Sequence, residues 1–91
     1  MSIKVKVPTQ LRTLTDGASE VSGAGDDVAS LINDLDARHP GLGERLLDGS
    51  GQLRRFVNVY VNDEDVRFLD GLGTPVPEGA QVSIIPAVAG G

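Results

Sequence analysis

Alternating apolar and polar residues at the start of the chain predict a β-strand. Ile3, Val5 and Val7 take every second position with lysines between them, and Pro8 ends the pattern. A weaker apolar segment over residues 18–22 follows a turn-prone stretch. We expect it to return beside the first strand as the second arm of a hairpin.

The pattern becomes helical after Asp26 and Asp27, either of which can cap a helix. Apolar residues then recur at i, i+3, i+4 and i+7 and form a single stripe, namely Val28, Leu31, Ile32 and Leu35. The helix should end at His39, because the residue before a proline is pushed out of the helical region. Leucines over 42–47 indicate one short further helical turn.

Three strands are predicted in the second half of the chain. Residues 55–61 show the strongest strand pattern, with Val57, Val59 and Val61 on one face. After a turn over 62–65, residues 66–68 are expected to form a short partner strand. Residues 81–86 should form the last strand, in which Val82 and Ile84 share a face.

This order of elements predicts an α+β fold. The stripe of a single helix needs one sheet face to cover, so the economical solution is a mixed sheet of four or five strands with the main helix across one face. That is the β-grasp (ubiquitin-like) arrangement. We expect residues 1–86 to form this domain and the last five residues to form a flexible tail, namely Ala87, Val88, Ala89, Gly90 and Gly91.

Composition excludes most catalytic sites. The chain has 91 residues, 40% of them hydrophobic, and no cysteine, which removes disulfides, thiolate metal sites and thiol nucleophiles. His39 is the only histidine, so no His pair can hold a metal. No glycine-rich nucleotide-binding motif is complete. Asp34 and Asp36 are expected on the solvent side of the helix, unsuited to act as an acid/base pair. We therefore expect no enzyme activity in the chain itself.

Charge indicates which partners are unsuitable. The net charge is −5, which argues against a nucleic acid or an anionic membrane surface as the main partner. The charge is also unevenly distributed, with net values of +3, −6, +2 and −4 over residues 1–15, 16–36, 37–55 and 56–91. No segment approaches the roughly 18 apolar residues of a membrane span, and we expect a cytoplasmic protein.

The most informative feature is the Gly-Gly that closes the sequence. Five residues after the last predicted strand reach roughly 16 to 18 Å when extended, far enough to carry a carboxylate into another protein's active site. The two glycines lack Cβ atoms, so they can pass a narrow channel. A carboxylate is a poor electrophile until it is adenylated, which suggests activation by a partner enzyme that uses ATP.

Two segments carry a resemblance to a known family. FVNVYVNDEDVRF over residues 56–68 and VSIIPAVAGG over residues 82–91 resemble the ubiquitin-like bacterial sulfur carriers. That family serves molybdopterin, thiamine and cysteine synthesis, and the resemblance is greatest to the carrier for cysteine synthesis. It covers essentially the whole chain.

The resemblance implies a mechanism in which the partners hold every cofactor. An adenylating enzyme of the ubiquitin-activating type, usually zinc-containing, would activate the Gly91 carboxylate with ATP and magnesium. A sulfurtransferase or persulfide donor would then supply sulfur and leave a thiocarboxylate. A biosynthetic acceptor enzyme would take that sulfur, for example a cysteine synthase with pyridoxal phosphate. The carrier itself would bind no metal or cofactor.

The family fold also indicates where partners would dock. In that fold the first and last strands are parallel neighbours, and the strand that begins near Arg55 is antiparallel to the last. This would place Arg54 and Arg55 near the root of the tail, where they could meet acidic groups of a partner. Phe56, Tyr60 and Ile85 are expected on the sheet face opposite the helix, as a docking patch. Two competing interpretations remain. The two arginines could simply be solvated at the exit of a loop, and one or more of the three apolar residues could pack under residues 69–76.

Three other functions remain open at this point. The chain could be the small subunit of molybdopterin synthase. It could be a ubiquitin-like modifier that forms isopeptides with lysines, which shares the activation step. It could also be a passive interaction domain with a disordered end.

Overall fold

The computed structural model describes residues 3–54 and 57–86. Its regular elements, in chain order, are β1 (Ile3–Lys6), β2 (Glu20–Gly23), α1 (Val28–Arg38), α2 (Leu42–Leu46), β3 (Val57–Val61), β4 (Glu64–Asp65) and β5 (Gln81–Pro86). Short 3-10 helices occupy Thr9–Thr15, Val66–Phe68 and Gly71–Gly73. The expected tail, residues 87–91, and the predicted strand start at residues 55 and 56 lie outside the described residues.

The sheet is mixed, in the strand order β2-β1-β5-β3-β4. The β1 and β2 strands form the antiparallel hairpin that the sequence predicts. The two terminal strands lie side by side and parallel, with Val5 opposite Val82. The β3 strand is antiparallel to β5, with Val59 opposite Ile84. The predicted five-strand form of the β-grasp fold is therefore confirmed.

One helix covers one face of this sheet. The predicted stripe of α1 is buried, and it joins the inward valines and isoleucines of β1, β3 and β5 in one core that also holds Leu42 and Leu46 of α2. Asp27, rather than Asp26, caps α1, because its carboxylate accepts a 2.8 Å hydrogen bond from the Ser30 amide. That bond lowers the pKa of Asp27. The helix ends at Arg38, as the His39-Pro40 pair predicts.

The prediction of a strand over Val66–Phe68 is wrong. Strand pairing is confined to Glu64 and Asp65, which lie opposite Val61 and Tyr60, and Val66–Phe68 is a 3-10 helix. The reason is local. Asn62 and Asp63 both adopt positive φ and reverse the chain in two residues, so pairing begins earlier. Asp65 then caps the following turn by accepting a bond from the Arg67 amide.

The turn-prone stretch after Pro8 is more regular than its polar composition suggests. Thr9–Thr15 forms a 3-10 helix, which ends where Asp16 takes a left-handed conformation. Thr15 is buried, and its hydroxyl lies 2.9 Å from the Ala18 carbonyl, to which it donates. Because β1 and β5 are parallel, this segment lies at the same end of the sheet as Pro86, the last residue of β5.

Candidate functional site

The tail root, defined here as Pro86 and the backbone of Val57 beside it, is the point where β5 ends. Val57 is the first residue of β3 and lies opposite Pro86, the last residue of β5. Since β1 runs parallel to β5, its last residue Lys6 lies at the same end of the sheet, opposite Ser83. The five residues that the sequence singles out for insertion into a partner follow Pro86: Ala87, Val88, Ala89, Gly90 and Gly91.

Arg54 lies near the tail root, where the family resemblance implies it should be. Its carbonyl accepts a 3.0 Å hydrogen bond from the Val57 amide, which places it one tight turn before β3. Its side chain is directed toward α2, because the Nε atom donates to the Glu44 carbonyl at 2.9 Å. Arg54 is exposed, so the rest of its guanidinium remains accessible. Arg55 lies outside the described residues.

Arg67 is a tail-root residue that the sequence analysis missed. Its Nη2 atom donates to the carbonyls of Arg54 and Val57, at 2.6 and 2.8 Å. The guanidinium thus bridges the backbone on both sides of residues 55 and 56. These acceptors are backbone carbonyls 10 and 13 residues away in the sequence. Every residue has such a carbonyl, so neither composition nor periodicity could have predicted this role of Arg67.

The predicted docking patch is described in part. Ile85 is 48% exposed and lies opposite Asn58, while Tyr60 is half-buried and lies opposite Ser83. Because side chains alternate along a strand, both point away from the buried valines of β3 and hence from α1. The two are diagonal neighbours, within reach of one partner surface. Phe56 lies outside the described residues.

Two exposed apolar residues near this region were not singled out in the sequence. Phe68 is 87% exposed and Leu69 is 44% exposed, whereas Val66, two residues before Phe68, is buried. Leu72, in contrast, packs against the core. The sequence predicted a strand over Val66–Phe68, in which Phe68 would pair within the sheet. In the structure Phe68 belongs to a 3-10 helix and is exposed to solvent.

The two aspartates of α1, Asp34 and Asp36, are half-buried and accept hydrogen bonds from backbone amides. Asp34 accepts hydrogen bonds from the Ala24 amide at 2.8 Å and from Arg38 Nε at 2.7 Å. These bonds, the Ala24 bond foremost, lower the pKa of Asp34. Asp36 accepts from the Gly41 and Gly43 amides and so fixes the connection between the two helices.

A shallow cleft of about 310 Å³ lies between Arg67 and the loop over residues 48–53. Its acidic group, Asp48, is already engaged, because it accepts from the hydroxyl and amide of Ser50 and from the Gln52 amide. These bonds, the one from the Ser50 hydroxyl first, lower the pKa of Asp48. All three bonds are accepted by Oδ1 of Asp48, which thereby holds the loop over residues 48–52 in shape.

Residues 3–54 and 57–86 are the part of the chain that the structure describes. That part of the chain contains no group of three or more histidine, cysteine or acidic side chains arranged to hold a metal ion. Its helices are all too short or too polar to cross a membrane.

Comparison with known proteins connects this geometry to a family. The chain matches the ThiS family over residues 5–91. It is 53% identical over 93 residues to the sulfur carrier protein CysO of Mycobacterium tuberculosis, and the match covers 100% of both chains. It is 39% identical over 64 residues to small archaeal modifier protein 3 of Haloferax volcanii, covering 70% of this chain and 68% of that protein.

The fold agrees with these matches. A chain of the solved BexX/CysO complex of Amycolatopsis orientalis superposes with a TM-score of 0.91 and 48% identity, over 98% of this chain and 99% of that chain. The likeness that the sequence indicates to the carrier of cysteine synthesis is therefore confirmed at full length. On its sequence and its β-grasp fold, the chain belongs to the ThiS family of ubiquitin-like sulfur carriers.

Proposed function

We propose that this protein carries sulfur as a thiocarboxylate on Gly91. The observation that carries the proposal is the match, along the whole of both chains, to proteins named sulfur carrier protein CysO. The geometry agrees with it, because the last strand, which is the central one of the sheet, ends beside Val57. Residues 87–91 then follow with small or apolar side chains only.

The proposed reaction has two steps, both in partner enzymes. An adenylating enzyme joins the Gly91 carboxylate to the α-phosphate of ATP, and pyrophosphate leaves. A sulfide or persulfide sulfur then attacks the carbonyl carbon and AMP leaves. Release of the group that was attached to a persulfide sulfur requires a thiol reductant. In this scheme magnesium, zinc and pyridoxal phosphate belong to the partners, and activation by ATP suits the cytoplasm.

The sulfur on Gly91 would pass to a biosynthetic acceptor enzyme. Likeness to CysO favours cysteine synthesis or a thiolated metabolite over molybdopterin synthesis. The solved BexX/CysO complex supports a partner protein that binds this fold. In the acceptor, the nucleophilic thiocarboxylate sulfur would form a bond to an electrophilic carbon. Water would then cleave the bond between this sulfur and the Gly91 carbonyl, which leaves the sulfur on the product and returns the Gly91 carboxylate.

We propose the open sheet face as the docking surface for the activating enzyme. Ile85 and Tyr60 lie on it, Phe56 is expected to join them, and Arg54 and Arg55 are expected to meet acidic groups near the tail root. An apolar cluster with a cationic margin beside an inserted tail is typical of a protein interface.

Phe56→Ala and Ile85→Ala should each weaken binding to the activating enzyme without unfolding the domain. Truncation of a central interface residue costs about 1 to 2 kcal/mol, roughly a tenfold rise in Kd. Phe68→Ala is the comparison variant, because Phe68 is 87% exposed but belongs to the 3-10 helix after β4 and not to a strand of this face. Isothermal calorimetry gives the Kd, and thermal unfolding shows whether the variant still folds. A large loss of thermal stability in Phe56→Ala would show that Phe56 is a core residue.

The function itself is tested by intact mass. The protein is incubated with the activating enzyme of the same organism, ATP, magnesium and sulfide. A mass gain equal to the exchange of one oxygen for sulfur supports the carrier function. An unchanged mass, with an enzyme that activates a control carrier, contradicts it.

The match to small archaeal modifier protein 3 favours a second candidate function, protein modification. Both functions begin with the adenylate of Gly91 and differ in the nucleophile that follows. In a lysate supplied with ATP, a modifier would form covalent conjugates with lysines of other proteins. A carrier would remain unconjugated and gain sulfur.

A further inference from the structure

One row of side chains crosses the open sheet face, the face opposite α1. The strand register places these side chains next to one another in the order Glu20, Lys6, Ser83, Tyr60 and Asp65. Neighbouring strands lie about 4.8 Å apart, so Tyr60 is roughly 10 Å from Lys6 and roughly 5 Å from Asp65. The tyrosine therefore lies between a cationic and an acidic side chain.

The β1 side of this row carries one positive charge in excess. Lys4 and Lys6 are both exposed, and Glu20 is the only acidic residue in β1 or β2. The Lys4 Nζ atom lies 4.0 Å from a Glu20 carboxylate oxygen, whereas Lys6 has no ion pair among the described residues. The exposed pair is weak, but it engages the one acid of these two strands.

Lys6 is also the nearer of the two lysines to Ile85. It lies opposite Ser83, two residues from Ile85 along β5, whereas Lys4 lies opposite Gln81, four residues from it. At about 3.3 Å per residue, these offsets along the strand are roughly 7 and 13 Å. Lys6 therefore borders the apolar part of the open sheet face, and Lys4 lies farther away.

The β4 side of the row is acidic. Asp65 lies opposite Tyr60, and its Oδ1 atom accepts a 2.9 Å hydrogen bond from the Arg67 amide, which holds the carboxylate in place. Asp63 and Glu64 are exposed immediately before it. The Arg67 guanidinium is directed toward the backbone at the start of β3. Three acids and one arginine leave this side with a negative charge.

The apolar area between these two sides is small. Tyr60 is half-buried and Ile85 is exposed, so the pair offers a partner little hydrophobic surface and little that would fix its direction. Complementary charges across an interface speed association and disfavour wrong orientations. The charges that flank Tyr60 and Ile85 can therefore decide how a partner is oriented across the strands.

We propose that Lys6 and Asp65 orient the activating enzyme on the open sheet face. The matching enzyme surface carries an acidic group opposite Lys6 and a cationic group opposite Asp65, roughly 14 Å apart across three strand spacings, with an apolar area between them. This rests on the proposed docking of that enzyme to the open sheet face. A partner with the two charges exchanged would be repelled on both sides.

An exchange of the two charges tests the orientation at constant net charge. The double variant Lys6→Glu, Asp65→Lys reverses the two sides and keeps the net charge of −5. Isothermal calorimetry with the activating enzyme in about 50 mM salt should show a Kd raised on the order of tenfold or more. At about 1 M salt, where the Debye length is about 3 Å, the variant and the wild type should bind alike.

Single changes separate the two sides. Lys6→Gln and Asp65→Asn each remove one charge, and asparagine keeps an oxygen that can accept from the Arg67 amide. Each variant should raise the Kd about threefold in low salt. Arg45→Gln is the matched control for the lysine change, because Arg45 is exposed on α2, whose leucines join the core on the covered face. It should leave the Kd unchanged.

Two results would overturn the proposal. One is an exchanged variant that binds as tightly as the wild type in low salt, and the other is a loss of affinity that persists at about 1 M salt. If Ile85→Ala weakens binding while the charge variants do not, only the orientation by charge is lost and the docking surface stands. An enzyme that binds none of these proteins contradicts both. Conversion of Gly91 to a thiocarboxylate is read separately, by mass.

Discussion

A single glycine fixes how closely the β2–α1 connection approaches the helix. A Cβ atom built on Gly25 would lie 2.5 Å from the backbone nitrogen of Leu31, which cannot move without disturbing the first turn of α1. Gly25→Ala should therefore destabilise the fold by about 1 to 3 kcal/mol.

Gly49→Ala is the matched control, because no atom lies within 4 Å of the added methyl group. Its effect should stay within about 0.5 kcal/mol. Urea unfolding of the two variants measures the difference, and equal stability would show that the close approach at Gly25 is not rigid.

Asp34 should make stability depend on pH. Hydrogen bonds from the Ala24 amide and Arg38 lower the pKa of its carboxyl in the folded state. Such a group stabilises the fold above its unfolded pKa of about 3.9. Its contribution is lost as the pH falls through the lower folded pKa.

Asp34→Asn should therefore lose less stability than the wild type on acidification from about pH 5 to pH 2.5. Urea midpoints across this range measure the effect. Parallel curves for the two proteins would contradict it.

At the scale of elements, one arginine ties the start of β3 to the turn after β4. Arg67→Ala removes the two bonds to the Arg54 and Val57 carbonyls. It should cost about 1 kcal/mol, the usual net value of an accessible hydrogen-bonded group. The Val57 amide, which donates to Arg54, should exchange its hydrogen faster.

Arg45→Ala, which removes an exposed arginine of α2, is the control and should leave that exchange rate unchanged. Hydrogen exchange followed by NMR provides the measurement. An unaltered Val57 rate in Arg67→Ala would show that the β3 start is held by other contacts.

The elements with a clear period could be predicted from the sequence, and those set by local side-chain bonds could not. Alternation identified β1 and the apolar stripe identified α1, because burial on one face imposes both patterns. The strand predicted at Val66–Phe68 failed because the turn at Asn62 and Asp63 decides where pairing begins. Of the tail root, Arg54 could be placed by topology, whereas Arg67 acts through backbone acceptors that leave no pattern.

At the scale of the whole molecule, the fold brings residues distant in sequence to the point where the tail leaves. The first strand contributes Lys6, the loop before β3 contributes Arg54, and the turn after β4 contributes Arg67. Their common position follows from the parallel pairing of the terminal strands and the antiparallel pairing of β3 with β5. The point where the tail begins therefore has three cationic side chains nearby, two from arginines and one from a lysine.

Tail length should matter more than any side chain for the proposed reaction. Deletion of Gly91, or extension by one residue, shifts the terminal carboxylate by about 3.5 Å out of register with the adenylating site. Either variant should fold normally and form no thiocarboxylate. A normal yield from either one would contradict the insertion mechanism.

The central claim is that sulfur resides on Gly91, and the mass of the C-terminal tryptic fragment tests it most directly. After reaction with activating enzyme, ATP and sulfide, fragment 68–91 should be heavier by the exchange of one oxygen for sulfur. Sequencing of that fragment in the mass spectrometer should place the exchange at Gly91. Sulfur found on any other fragment, or an unmodified fragment beside an active enzyme, would contradict the account.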